Sequence, residues 1–468
     1  MKYPAYPHYK DSSVAWLGQV PGHWEVKRLK MATHLCDKKV EADEENPLPY
    51  IGMENIESWS GKLLFIDPDL VPSGVANYFS KGTTLFGKLR PYLAKACAPD
   101  FSGLCSTELL VIQAEDFDRR ALLYWLLADG FIKLVDSSTY GSKMPRANWD
   151  FIGNCQLAVP PMAEQTAIAD FLDRETGRID MLVAKKRKLV ELLKEKRSAL
   201  ISRTVTRGLP DDATREFGLT TGNTSVHEAP RAYGRGERFF APTDGTDITE
   251  GFKDFGIEWL RAIPKGWEIL PFTKYVSDKS DYRGKTPEKT DSGVFLVTAR
   301  NVRMGYIDYV TSQEYVAEDD YAEIMRRGLP MIGDVLFTTE APLGNVALVD
   351  KEDVAFAQRM IRFRMDKKHF SSAFTLYAMM SDHFQNQLKS LSTGSTAEGL
   401  KASKLTILKI ICPPIVEQTA IAAYLDRETT KIDRLIEKVE TAIARLQEYR
   451  SALITAAVTG KIDVRGAA

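Results

Sequence analysis

The sequence has none of the spacings by which catalysis or cofactor binding is usually recognised. It contains no G-x-x-x-x-G-K-[ST] loop, no G-x-G-x-x-G after a strand, no H-E-x-x-H and no C-x-x-C. Histidine is scarce, and His8, His23, His34, His227, His369 and His383 are scattered, which argues against a metal or acid–base cluster. The five cysteines (Cys36, Cys97, Cys105, Cys155, Cys412) are odd in number and never closely paired. They read as reduced thiols of a cytosolic protein rather than a disulfide framework. Nowhere do about 18 apolar residues follow one another, and the opening MKYPAYPHYKDSS lacks the apolar run of a signal peptide. Neither secretion nor membrane insertion is expected. A formal net charge of -1 excludes whole-molecule basicity, so any nucleic-acid surface must come from local charge.

Two further absences bear on function. A DNA adenine methyltransferase acting alone would need an N-P-P-[FY]-like motif, whereas Pro160-Pro161 and Pro413-Pro414 lead into helical patterns and read as helix-start punctuation. The acidic runs Asp43-Glu44-Glu45 and Asp319-Asp320 read as solvated loops. No catalytic site is expected in this chain.

What the sequence does have is a duplication. PPMAEQTAIADFLDRET from Pro160 and PPIVEQTAIAAYLDRET from Pro413 lie in register at an offset of 253, which holds to RSALISRTVT and RSALITAAVT. Upstream the same register pairs Tyr124 with Tyr377, Asp129 with Asp382, and Gly141-Ser142 with Gly394-Ser395. Nearer the front, AWLGQVPGHWE (from Ala15) matches EWLRAIPKGWE (from Glu258) at an offset of 243, so the insertions lie between fixed ends. At 468 residues the chain is long enough for two to four domains. Each divergent middle shows strand-like runs, YIGMENIES and VFLVTARNV first, then a helical stretch near Arg119–Val135 or Ser372–Ser390. Each reads as a small mixed α/β domain. Between the halves, a Gly-, Thr-, Asp- and Pro-rich stretch reads as a linker.

The repeated tails carry apolar heptads. With Ile179 at position a, the expected seam of the first tail is Ile179, Leu182, Lys186, Leu189, Leu193, Lys196 and Leu200. That of the second is Ile432, Leu435, Val439, Ala442, Leu446, Tyr449 and Leu453. Each helix needs a partner for this face, and the other tail is at high effective concentration. The fold class expected is therefore α/β (α+β), a pseudo-two-fold tandem repeat of two mixed domains separated by a long antiparallel two-helix coiled coil.

Side chains able to grip phosphates or bridge base edges cluster in the middles. Lys88, Arg90, Tyr92 and Lys95 form one group, and Lys143, Arg146 and Asn148 another. In the second half, Arg300, Asn301 and Arg303 follow a strand, Gln358 and Arg359 stand with Arg362 and Arg364, and Lys401 and Lys404 occupy the segment equivalent to Asn148. The alternation of Arg362 and Arg364 also fits the solvent face of a strand.

These features together resemble the specificity subunit of a Type I restriction–modification system. The resemblance rests on W-L-G-x-V-P-x-x-W at Trp16 with its repeat at Trp259, P-P-x-x-E-Q-x-x-I-x-x-[FY]-L-D at Pro160 and Pro413, and R-S-A-L-I…V-T at Arg197 and Arg450. It covers essentially the whole chain. It implies target recognition domains at residues 1–159 and 254–412, spacer helix regions at 160–208 and 413–462, and a linker at 209–253. Each recognition domain would read one half of a split sequence in double-stranded DNA, while the helices set the gap and dock two modification subunits. S-adenosylmethionine would be used by those subunits, and ATP and Mg by a separate restriction and translocation subunit, with none bound by this chain. A cytoplasmic bacterial or archaeal protein, held near the nucleoid through DNA, is implied. A two-headed coiled-coil scaffold that binds proteins remains the alternative, and DNA affinity steeply reduced by salt distinguishes the two.

Overall fold

The computed structural model describes residues 3–41, 48–67, 70, 72, 74–115, 117–219, 252–257, 260–284, 286–392 and 399–466. Trp259, Gly394, Ser395, the run Asp43–Glu45 and linker residues 220–251 lie outside them. The chain forms two compact units, residues 1–189 with 438–468, and residues 190–437. These boundaries fall inside the two long helices, Met162–Arg207 and Ile415–Val458.

In unit 1, a four-stranded sheet has the order Thr33–Cys36, Leu109–Ala114, Thr83–Gly87, Ala96–Cys97. A second has the order Lys39–Glu41, Val75–Phe79, Gly103–Cys105, Tyr50–Ile51, the last pair parallel. Unit 2 repeats the plan. Its larger sheet runs Val276–Asp281, Met360–Met365, Val335–Thr339, Leu343–Leu348, and its smaller one Tyr315–Val316, Val294–Val297, Val354–Phe356, again with a parallel pair. The central strands Thr83–Gly87 and Val335–Thr339 are buried throughout, as their apolar and threonine runs require.

Each expected helix at the end of a middle is in fact two. Arg119–Leu126 and Asp129–Ser137 replace one helix, and Ser372–Met380 and Asp382–Leu391 the other. Asp118 and Ser371 cap the first of each pair. No proline marks the breaks, which are fixed by tertiary partners. In unit 1 the Asp129 amide donates to the Thr455 hydroxyl at 3.2 Å. In unit 2 the Asp382 amide donates to the Ser202 hydroxyl at 2.8 Å.

The long helices are Met162–Arg207 and Ile415–Val458. The start of each is tied to its own unit by the same bonds. Tyr124 donates to Asp173 at 2.7 Å and Tyr377 to Asp426 at 2.6 Å. Gln165 and Gln418, both buried, take the amides of Asp118 and Ser371 at 2.8 and 2.9 Å and donate to the carbonyls of Pro160 and Pro413 at 2.9 and 2.8 Å. The repeated Q, Y and D of the sequence are thus the joints between domain and helix.

Within each unit the start of one long helix meets the end of the other. In unit 1, Arg450 bonds Asp180 at 2.9 Å, and in unit 2 Arg197 bonds Asp433 at 2.9 Å. The stripe covered beside these pins differs from the expected seam. Leu182, Leu189, Leu435 and Tyr449 are 48%, 44%, 49% and 45% exposed, and Lys196 is exposed as well. The covered positions lie one residue further on: Val183 and Val190 are buried, Arg197, Ile436 and Ile443 half-buried and Arg450 buried. The a positions Ile179 and Ile432 are buried, as is Leu453, while Leu193, Leu200, Val439 and Leu446 are half-buried. Ala442 and Lys186 are half-buried too. Both stripes are apolar, so heptad spacing alone does not choose between them; the arginine pins do.

The front of the expected linker belongs to unit 2. Residues 209–219 hold a helix, Asp211–Glu216, and bury Leu209 and Ala213 in the core around Trp267. The matching stretch after the second long helix buries Ile462 and Val464 in the unit 1 core around Trp24.

Among the described residues, no helix is long and apolar enough to cross a membrane. No group of three His, Cys, Asp or Glu among them could hold a metal ion. Burial pushes the Cys97 and Cys105 thiols up to about 12 and Cys155 to about 11, which makes them poor nucleophiles.

Candidate nucleic-acid interface

In unit 1 the chain leaves strand Thr83–Gly87 through Lys88, Leu89 and Arg90, makes a 3-10 turn at Pro91–Leu93, and returns through Ala94. Arg90 and Ala94 both sit in the left-handed region, at φ 49° and 45°. A second loop closes on this one. The Arg90 amide donates to the Pro145 carbonyl at 2.7 Å, the Ala147 amide to the Lys88 carbonyl at 2.9 Å, and Leu89 bridges to Arg146. The two basic stretches separated by some fifty residues in sequence therefore form one surface. The second loop is itself held shut by reciprocal backbone bonds between Tyr140 and Arg146 at 3.1 and 3.0 Å.

That surface exposes Arg90, Lys143, Tyr92, Tyr140 and Met144, with Lys88 half-exposed. Arg146 is already engaged, because Glu108 takes its Nε at 3.1 Å and a terminal nitrogen at 2.7 Å. This pair holds the loop in place through the side edge of the guanidinium. Lys95 turns inward, donating to the Met53 carbonyl at 2.6 Å. Asn148 caps the helix Trp149–Ile152, accepting from the Phe151 amide at 2.8 Å.

Unit 2 builds the same edge on different side chains. After strand Val335–Thr339 the chain passes through Glu340 and Ala341, the latter at φ 44° like Arg90. The Leu400 amide donates to the Thr339 carbonyl at 2.9 Å, as Ala147 does to Lys88, and Glu340 bridges to Gly399 as Leu89 does to Arg146. The Thr339 amide donates to the Arg359 carbonyl at 2.8 Å, where in unit 1 the Lys88 amide donates to Glu108 at 3.0 Å. So Thr339 stands for Lys88 and Arg359 for Glu108 on one backbone frame. Charge has changed while the frame has not.

Gln358 and Arg359 adopt left-handed backbone in succession, at φ 59° and 58°. That conformation costs roughly 1–2 kcal/mol for each non-glycine residue and is sustained only when the surroundings impose it. Here the Thr339 amide and hydroxyl both donate to the Arg359 carbonyl. Arg359 bonds Glu340 through Nε at 3.2 Å, and Gln358 donates to the Thr286 hydroxyl. Lys401 and Arg300 are exposed, Lys404 is half-buried, and Arg303 reaches Asp308 at 3.4 Å.

Two groups of arginine and asparagine prove structural. Asn301 is fully buried, its Oδ1 accepting from the Thr298 amide at 3.0 Å and its Nδ2 donating to the carbonyls of Asp308 and Ser312 at 2.8 and 2.7 Å. It cannot reach a base. Asn55 ties the matching loop of unit 1 the same way, through the Gly52 amide and Phe65 carbonyl, both at 2.8 Å. Aligning YIGMEN with LVTARN would have revealed it. Arg362, also fully buried, bonds Asp334 at 2.9 Å and Asp278 at 2.5 Å, while Arg364 bonds Asp334 at 2.8 Å. The Arg362 guanidinium holds the Asp278 carboxyl below the usual carboxylate range. A search confined to basic and amide side chains also missed Glu108 and Glu340, the acids that hold Arg146 and Arg359.

Comparison with known proteins points one way. Residues 285–445 match the family model described as the Type I restriction modification DNA specificity domain. The MjaVIII specificity subunit of Methanocaldococcus jannaschii is 22% identical over 373 residues, covering 78% of this chain and 75% of that protein. The EcoKI specificity subunit of Escherichia coli is 20% identical over 489 residues, covering 96% and 91%. A solved structure from a study of assembly and conformational transition in a type I R-M system shares the fold. Its TM-score is 0.57 at 18% identity, and the match covers 94% of this chain and 98% of that one.

Proposed function

We propose, from the premise that this chain belongs to the specificity subunits of Type I restriction–modification systems, that each of its two units reads one half of a split DNA target. The observation that carries this is the shared edge. Both units present the same pair of interlocked loops, yet Lys88 and Glu108 in one are Thr339 and Arg359 in the other. A frame kept while the side chains on it change is what two readers of different sequences need, because bases are distinguished by donor and acceptor pattern rather than by fold.

Specificity subunits are the non-catalytic components of their complexes, and the rest of the proposal follows from that role. The long helices pair in antiparallel fashion as a spacer, a reading supported by the equivalent bonds Arg450–Asp180 and Arg197–Asp433, each local to its unit. Exposed apolar residues on the helices, among them Met181, Leu182, Leu189 and Leu435, suit docking of two modification subunits. Methyl transfer from S-adenosylmethionine, and ATP- and Mg-dependent translocation and cleavage, fall to the partner subunits. Each wrong base pair costs about 1–3 kcal/mol, so two readers at a fixed interval multiply a discrimination that neither has alone.

The test is a map of N6-methyladenine at single-molecule resolution in DNA from the native host and from a strain lacking this gene. A motif of two short blocks with a fixed unspecified gap, lost on deletion, is the expected result. Identical methylation in both strains refutes the proposal.

A further inference from the structure

We propose that Arg359 reads a guanine in the half-site of unit 2 and that Glu340 is the residue that positions it; this rests on the function proposed above and adds one base and two side chains to it. The argument is a count of donors. A guanidinium recognises guanine by giving two parallel hydrogen bonds to O6 and N7, for which two of its nitrogens must be free on one edge. In unit 1, Glu108 takes the side edge of Arg146, its Nε and one hydrogen of a terminal nitrogen, so that only the end edge still meets this requirement. Arg362 fails it through burial and Arg364 through Asp334. In Arg359 the nearest approach to an acid is the ion pair of Nε with the Glu340 carboxylate at 3.2 Å, and its terminal nitrogens make no hydrogen bond among the described residues.

The setting fits a reader. Arg359 and Glu340 are 52% and 44% exposed, at the edge where unit 1 exposes Arg90 and Lys143. The backbone of Arg359 is locked by two bonds from Thr339, and that of Glu340 is held by its bridge to Gly399. A carboxylate at a DNA-facing edge repels phosphates, so its presence calls for a compensating task. Pairing with a guanidinium near its Nε, which leaves the terminal fork to a ligand, is such a task.

The experiment uses the complete complex with its modification subunits, S-adenosylmethionine and random-sequence DNA, with N6-methyladenine mapped in the product. Wild type is expected to require guanine at one position of the half-site that persists when residues 26–158 are exchanged for those of a relative. Arg359→Lys keeps the charge but loses the fork, and discrimination at that one position should fall by about 10–100-fold, the range for a bidentate pair. Glu340→Ala should relax the same position by a smaller factor, since the fork remains but is free to swing. A merely structural pair would lower methylation at every position alike and leave the motif letters unchanged, and that result overturns the assignment. So does relaxation in the other half-site. If the wild-type complex gave no split motif, the function on which this rests would fall, whereas an intact motif untouched by Arg359→Lys removes the present inference alone.

Discussion

Arg450→Ala and Arg197→Ala remove the same residue from the two copies of the repeated tail, yet their costs should differ severalfold. Arg450 is 9% exposed and spends its guanidinium on the Asp180 carboxylate at 2.9 Å and the carbonyls of Trp59 and Ser60 at 2.7 and 2.8 Å. Losing a buried ion-pair partner costs about 3–5 kcal/mol. Lys62 stays 2.7 Å from Asp180, so the carboxylate is not stranded and the lower end, about 3 kcal/mol, applies. Arg197 is 23% exposed and its partner Asp433 is 50% exposed, a surface pair for which about 0–1 kcal/mol is usual. Urea unfolding followed by tryptophan fluorescence separates the two, because five of the seven tryptophans (Trp16, Trp24, Trp59, Trp125, Trp149) lie in unit 1. For a denaturant slope of roughly 2–3 kcal/mol/M the Arg450→Ala midpoint should fall by about 1–1.5 M, and that of Arg197→Ala, followed by circular dichroism, by about 0.5 M or less. Equal shifts would show that the carbonyl bonds of Arg450 contribute nothing and would refute the reasoning.

The helix seam gives a second contrast: Val183→Asp should destabilise unit 1 by about 3 kcal/mol or more, while Leu182→Asp stays within about 0.5 kcal/mol, in the same unfolding assay. A reversal would restore the seam expected from sequence. Burial lowers the His383 imidazole to about 4, below its ordinary value near 6.5, so the folded state favours the neutral ring. The sign follows: this contribution is present above about pH 6.5 and is lost as pH falls toward 4, for about 3 kcal/mol in all. His383→Gln should flatten the stability profile of unit 2 in that window, and an unchanged slope would place the titration elsewhere. Gln418→Leu should cost about 2–4 kcal/mol by calorimetry, since it strands the Ser371 amide and the carbonyls of His369 and Pro413.

What sequence could reveal here depended on whether a signal was local. The duplication, the buried strand runs such as TLF and VLFTT, and the helix starts after Pro161 and Pro414 needed only neighbouring residues. The seam did not, because Leu182 and Val183 offer equally apolar stripes and the choice lies with Arg450 and Arg197, which reach across to another helix. The same holds at the interface. How Arg146 and Arg359 are held depended on Glu108 and Glu340, one of them 38 residues from the arginine it binds. Asn301 looked like an adenine reader because its residue type suits that role, yet the buried loop it closes left it no access.

The interleaving of the units has a consequence for how the protein is made. Residues 190–437 are consecutive, so unit 2 has all its parts as soon as that stretch clears the ribosome. Unit 1 does not: its core includes Leu453, Ile454, Ile462 and Val464, whose synthesis follows the whole of unit 2. At about 5–20 residues per second, the N-terminal segment must wait roughly 12–50 s for the residues that complete its core. During that interval the part of the core that Leu453, Ile454, Ile462 and Val464 complete stays open, so nascent chains should depend on a chaperone for the N-terminal half, although it emerges first.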